Sequence, residues 1–331
     1  MTWFEGLTGF REMGPNQVRK NITVDGPTLV SNVNGNVMVW GRLETPTLAE
    51  LRELVQSGER GSSKMTVREV VADAQVLHAD TANAGSLFQV ASQFNLLEMV
   101  SPNVTPEQGV GIYENDHTQG PACAIAAGAG TIYRNYFVPI NDQTGQTESN
   151  QIDCLADIGK SLGNSDNSLW QMRNGYALPS KSGLIDISNR LQALREDELD
   201  ELRKLLRIGV QWDTQVTLNN SSHLVSQAYC SALPVAYSSH SSDLWQHFAR
   251  LVLEASYEAA ICAAVLNQES TGNNSVYLTL LGGGAFGNET DWIIGSIRRA
   301  LMIYARHNID VAIVSHGSSK PHVQQLVSQF S

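Results

Sequence analysis

One stretch near the end of the chain limits the fold more than any other. Residues 276–281 form a mostly apolar run interrupted only by Thr279, short enough for a strand buried on both faces. The run passes directly into Gly282-Gly283-Gly284-Ala285-Phe286-Gly287-Asn288. Beyond the glycines, Asp291 stands where a helix cap is wanted. The apolar stripe Ile293, Ile297, Ala300, Leu301 and Tyr304 follows, and residues 309–315 read as the next strand. Upstream, Ser241 or Ser242 opens a long helix with the stripe Leu244, Phe248, Leu251, Val252, Ala255, Ala259, Cys262 and Leu266, and residues 228–237 before it read as a strand. Strand, helix, strand, loop, helix, strand implies a largely parallel sheet covered on both faces. The glycine loop then sits at a strand's carboxyl end, where open α/β sheets bind ligands.

Glycines there let the backbone approach a ligand closely, and successive N–H groups can cradle an anion. Each bond to a charged phosphate contributes roughly 1.5–3 kcal/mol. A few of them outweigh the diffuse repulsion from a formal net charge of -11, which salt screens over about 8–10 Å. No Gly-Lys-Ser/Thr follows, so this is no P-loop, and the spacing does not fit the dinucleotide fingerprint. The alternative is a tight turn with no ligand.

The rest of the chain reads less clearly. Residues 1–65 form an N-terminal extension, with a hairpin over 32–41 around Asn34-Gly35 and a capping box at Thr47 and Glu50 that opens a helix ended by Gly58 and Gly61. Gly61-Ser62-Ser63-Lys64 reads as a link. The main domain spans 66–331. It begins with a second capping box at Thr66 and Glu69, a strand over 74–79, a polar loop at 80–85 and a helix over 88–99. Residues 133–140 read as a strand. From about 141 to 210 the sequence is polar, then helical. This is an insertion with a short helix at 152–162 and a helix at 195–207 whose acids precede its bases.

Composition sets bounds. With 42% hydrophobic and 17% charged residues the chain is ordinary for a globular protein. The acidic balance argues against nucleic acid as a partner. No apolar run is long enough for a membrane span, and residues 1–10 do not read as a secretory signal. Cys123, Cys154, Cys230 and Cys262 are widely spaced among apolar neighbours. They read as buried reduced thiols in a cytoplasmic protein, with no metal site and no cofactor expected.

The segment 278–292, with the helix and strand after it, resembles the C-terminal half of macrodomains, and within them the poly(ADP-ribose) glycohydrolase-like branch. The resemblance implies a three-layer α/β/α mixed sheet that binds ADP-ribose. It places the amides of Gly282, Gly283, Gly284, Ala285, Phe286, Gly287 and Asn288 around the diphosphate, with Phe286 against the distal ribose. Asp80, Thr81, Ala82, Asn83 and Ala84 resemble the first ligand loop, where Asn83 would meet the distal ribose and Asp80 or Asp73 the adenine amine. Gln93-Phe94-Asn95 stands where that branch carries Gln-Glu-Glu. Both glutamates are missing, so chain hydrolysis by that mechanism is not implied.

Glu114, Asn115, Asp116, His117 and Gln119 form a dense polar cluster before the small-residue stretch 122–130. Cleavage at ribose C1 passes through an oxocarbenium-like state that a carboxylate stabilises while activating water. The segment resembles arginine-specific ADP-ribosyl hydrolases of macrodomain type, which use aspartates, and a carboxylate can orient a guanidinium by two parallel hydrogen bonds. Asp116 is the first catalytic candidate, then Glu114, with Asp213 as partner; Gln93, Asn115 and Gln119 are candidate ligand contacts. The expected activity is an ADP-ribosyl hydrolase acting on ADP-ribosylated protein, arginine-linked by preference. The rivals are a non-catalytic ADP-ribose reader and a structural or phosphosugar-binding α/β protein; for the acidic cluster itself the alternative is a solvated loop. No nucleophile elbow stands at a strand end: Gly159-Lys160-Ser161-Leu162-Gly163 matches its letters within the polar insertion.

Overall fold

The computed structural model describes residues 1–57 and 64–330. Seven strands form its main sheet: β1 (Arg42–Glu44), β2 (Thr66–Val71), β3 (Leu87–Ala91), β4 (Gly209–Gln215), β5 (Leu224–Cys230), β6 (Ser275–Leu278) and β7 (Asp310–Ser315). Their order is β1-β4-β5-β3-β6-β7-β2. β5, β3, β6, β7 and β2 run parallel, and β4 is antiparallel to both β5 and β1. The sheet is therefore mixed, with helices on both faces.

Alternation along β5 shows how one strand serves two layers. The Cys230 thiol points at Ser256 in the long helix Ser242–Thr271. Gln227 and Tyr229 face the other way, toward Cys123 and the Arg134 guanidinium. The long helix carries Leu48–Ser57, Lys181–Ala193 and Thr290–Ile303 against its flanks. The opposite layer consists of Ala74–Ala79, Gln119–Ala126 and Gly128–Tyr136. All four cysteines are buried and free. Among the described residues no helix is long and apolar enough to cross a membrane.

Four elements differ from the sequence expectation. Thr66–Val71 is an edge strand, not a capped helical turn: its β-branched residues pair with β7, and the Glu69 carboxylate accepts from Ser315, Ser319 and the Lys320 amide instead of Thr66. Ala74–Ala79 is a helix, because Asp73 caps it by accepting from the Gln75 and Val76 amides. Leu87–Ala91 is the central strand; buried on both faces, it lacks alternation and reads equally as helix. Gly128–Tyr136 is a helix despite two glycines, since Gly130 packs against Thr214 and Gln211, where a side chain would crowd β4.

The Asn34-Gly35 turn is present within a five-residue connection between Thr28–Ser31 and Val37–Val39. The Thr47–Glu50 capping box forms as expected. Gly58, Gly61, Ser62 and Ser63 lie outside the described residues. The N-terminal segment is woven into the main layers, because β1 is an edge of the main sheet and Leu48–Ser57 packs on the long helix. Within 141–210, strands Trp170–Arg173 and Tyr176–Pro179 pair across a two-residue turn with Asn174 and Gly175 both at positive φ. On the far side of the long helix, buried Glu258 bridges Arg52 and Arg299, which also hold Asp200.

Candidate functional site

The carboxyl ends of β3, β5 and β6 open into a cleft that encloses about 710 Å³, part of it open to solvent. Its floor and walls come from Gln93 and Glu98 after β3, Asp116 and Gln119 ahead of the next helix, and the glycine loop after β6. A wider slot of about 1490 Å³ shares Thr118, Gln119, Thr279, Leu280 and Gly284 with it and continues toward β7.

The loop between them is built so that some amides stay free. Gly283 donates to the Leu280 carbonyl, Gly287 to Gly284 and Asn288 to Gly282, which fixes two tight turns. The Asn288 side chain ties the loop to the Leu233 carbonyl. Gly282 and Gly287 have φ of 74° and 67°. A Cβ on Gly282 would meet that of Ala232 at 2.5 Å, and one on Gly287 would meet Ala236 at 2.8 Å. The amides of Gly282, Gly284, Ala285 and Phe286 have no acceptor among the described residues. Gly284 is the open point, since a Cβ there would have nothing within 4 Å.

Two carboxyl groups face this loop across the cleft. Asp116 is half-buried at the rim, and its Oδ1 accepts from the Thr118 amide at 2.9 Å. Glu98 lies at the floor, 3% exposed, against the backbone of Gly120. Its carboxylate accepts no hydrogen bond among the described residues, and its Oε1 is sealed from solvent. Burial pushes the Glu98 carboxyl well above the usual range; the Arg134 guanidinium opposes the shift and Asp116 adds to it. Arg134 is itself fully buried. It donates to the Leu96 carbonyl, Gln211 and Thr131, and lies 3.7 Å over the Tyr229 ring.

The segment leading to Asp116 is held by the N-terminus of the chain. The Glu12 carboxylate accepts from the amides of Val110 and Gly111 at 3.0 and 2.6 Å and from the Tyr136 hydroxyl. The Trp3 indole donates to the Val110 carbonyl. Tyr113, in the turn Gly111–Asn115, receives the Glu98 amide on its hydroxyl.

Aromatic rings line one wall: Tyr176, Tyr237 and Phe286 lie with centroids 5.2 to 5.6 Å apart. Tyr176 comes from the hairpin inside 141–210 and anchors its hydroxyl on the Met99 carbonyl. The outer slot offers Ile293, Ile294 and Val314 as apolar walls, with Asp73, His117, His316, Lys320 and His322 around them. Asp73 Oδ1 caps its helix, and its Oδ2 makes no hydrogen bond among the described residues.

The predicted residues divide cleanly by position. Gln93, Asp116, Gln119, Gly282, Gly284, Ala285 and Phe286 line the inner cleft, Gly283 lines the outer slot, and Asn115 borders a side recess with Glu98 and Asp116. Gln119 has its amide engaged with the β3 backbone, accepting from Ala91 and donating to the Gln89 carbonyl. Gly287 and Asn288 shape the loop from behind.

Three expectations are corrected. Asp80, Thr81, Ala82, Asn83 and Ala84 precede β3 instead of following it, which puts them at the amino ends of the parallel strands, away from the cleft; there Asn83 accepts from the Tyr277 hydroxyl and Ala84 from Asn273. Glu114 turns away from the cleft and accepts from the Trp3 amide. Asp213 sits at positive φ on an irregularity of β4, exposed and near the amino end of β5. Missed were Glu98, Tyr176 and Tyr237. The Asn174-Gly175 turn was a readable signal for Tyr176; an isolated Glu in an apolar stretch was the only mark of Glu98.

Among the described residues no group of three or more His, Cys, Asp or Glu is placed to hold a metal ion. No family model and no curated protein sequence matches the chain. Among solved structures it is similar to the poly(ADP-ribose) glycohydrolase of Thermomonospora curvata, at 11% identity over 95% of this chain and 94% of that one, with a TM-score of 0.47. It is also similar to the poly(ADP-ribose) glycohydrolase of Deinococcus radiodurans in complex with ADP-ribose, at 13% identity over 87% and 92%, with a TM-score of 0.46.

Proposed function

We propose that this protein is an ADP-ribosyl hydrolase that removes ADP-ribose from modified protein, with arginine the preferred acceptor. The observation that carries the reading is the row of unbonded amides at Gly282, Gly284, Ala285 and Phe286, set between an apolar slot and a cleft holding a carboxylate. The row suits a diphosphate. The outer slot suits adenine between Ile293, Ile294 and Val314, with the free Asp73 oxygen for its amine. The inner cleft then receives the distal ribose against Phe286.

Asp116 faces that sugar. Its carboxylate stabilises the cation that develops at ribose C1 and takes a proton from the attacking water. The surrounding rings of Tyr176 and Tyr237 and the acid at the rim suit a planar guanidinium as the group that departs. A non-catalytic reader would use the same loop; the carboxylate beside a second, buried acid favours turnover.

Titration calorimetry with ADP-ribose tests the site, and release of ADP-ribose from arginine-ADP-ribosylated protein tests the reaction. Asp116→Ala keeps binding and lowers turnover by roughly 10²–10⁴-fold. Undiminished release by that variant removes Asp116 from the mechanism, and absence of ADP-ribose binding by the wild type overturns the reading as a whole.

A further inference from the structure

The most unusual group in the cleft has been given no step of its own so far. Glu98 is almost wholly buried, accepts no hydrogen bond among the described residues, and still borders both the cleft and the side recess beside Asp116. A carboxyl kept only for packing would be matched with donors, because an unpaired buried polar group is costly. The surroundings are instead arranged to hold it bare. Gly120 leaves no room for a Cβ, which would fall 2.3 Å from Glu98 Oε2. The nearby Tyr113 hydroxyl accepts from the Glu98 amide and, among the described residues, donates to neither carboxylate oxygen. Arg134, the buried cation whose field reaches the carboxyl, donates to neutral oxygens of Leu96, Gln211 and Thr131, and among the described residues it forms no ion pair with Glu98.

We infer that Glu98 is a further catalytic residue: from the cleft floor it gives its proton to the nitrogen leaving ribose C1 while Asp116 receives a proton from the incoming water. The inference rests on the hydrolase reading above. In the step, the C1–N bond breaks with its electron pair going to the guanidine nitrogen, and that nitrogen takes the Glu98 proton. Water oxygen bonds to C1 and its proton passes to Asp116. Glu98 ends as carboxylate and Asp116 as acid, and a proton passing back between these neighbours resets the pair. Net, one water is consumed and free guanidinium and ADP-ribose are formed.

The groups around Glu98 bear on its protonation from every side. Asp116 on the rim raises its pKa, Arg134 lowers it, and burial outweighs Arg134. Tyr113, Cys123, Tyr176 and Tyr229 also face it and are held neutral by burial. A carboxyl in this setting remains an acid at pH values where an exposed glutamate has ionised.

Glu98→Gln is the test, because glutamine keeps the shape and loses the transferable proton. The expected result is an ADP-ribose Kd within about threefold of wild type, release from arginine-ADP-ribosylated protein slowed by roughly 10²-fold or more, and loss of the alkaline limb from the kcat/KM profile. A purely structural Glu98 would leave that limb in place. Wild-type rate with an unchanged limb overturns the role of Glu98 alone and leaves the hydrolase reading standing. A wild type that binds no ADP-ribose removes both. If Glu98→Gln does not fold, Glu98→Asp is read instead: the displaced carboxyl slows release and moves the limb, and an unaltered rate and limb overturn the inference.

Discussion

A side chain at Gly284 should abolish ligand binding while leaving the fold intact. A Cβ built there has no atom within 4 Å, and its φ does not lie in the left-handed region, so the first carbon of a side chain is accepted without collision or backbone strain. Gly284→Val should therefore change stability by less than about 1 kcal/mol, a shift of under about 3 °C in Tm. The same open space is where a diphosphate must come to reach the amides of Gly284, Ala285 and Phe286. Displacing it from two of them forfeits about 3–6 kcal/mol, at roughly 1.5–3 kcal/mol per charge-assisted bond. That corresponds to roughly 10²- to 10⁴-fold in Kd. Titration calorimetry with ADP-ribose reads the loss directly. Gly282→Ala supplies the contrast, because left-handed φ costs roughly 1–2 kcal/mol and the collisions with Ala232 and Asn288 add about 1–3 kcal/mol. That variant should lose Tm. Near-normal ADP-ribose affinity in a well-folded Gly284→Val would show that the diphosphate does not sit on this loop.

Two further expectations concern the frame around the site. Glu258 is 1% exposed and bridges two guanidinium groups, so Glu258→Ala leaves Arg52 and Arg299 with only Asp200 between them and should cost about 3–5 kcal/mol in denaturant unfolding; a loss below about 1 kcal/mol would mean that the cluster relaxes or admits water. His78 is fully buried, and burial lowers its pKa from 6.5 to about 4. The unfolded chain thus binds the proton first. Stability present above pH 6.5 is lost as pH falls toward 4, by up to about 3 kcal/mol. Unfolding curves across that window should be flatter for His78→Gln, and an equal slope would show that His78 titrates freely.

The layers at the carboxyl-terminal end were readable because each signal there is local. The strand before Gly282, the long helix with its apolar stripe and the last strand all carry their own periodicity, and they appear within a few residues of expectation. The central strand Leu87–Ala91 was not readable as such. Buried on both faces, it shows an apolar run with no period, and helices supply the same letters. That misassignment carried the site with it. Reading 74–79 as a strand put the ligand loop at Asp80–Ala84, one element too early. The loops that line the cleft and the outer slot follow Val71 and Ala91, and they bring Asp73, Gln93 and Glu98 there. Asp116 still falls at the cleft, because its cluster is read from composition instead of from its place in the fold. Glu98 could not be seen, since its distinction is the lack of partners, and only tertiary structure creates that.

The clamp formed by Glu12 and Trp3 has a practical side. The residues that steady Asp116 from behind belong to the stretch a laboratory would trim first when shortening the chain for expression. A version starting after residue 12 would lose that clamp together with the buried Phe4 and Thr8, while every strand of the main sheet and the glycine loop stay in the chain, and it is expected to lose turnover more than nucleotide binding. Loss of activity on such trimming would look like loss of a substrate-recognition tail, when the proposed catalytic carboxylate had only lost its backing.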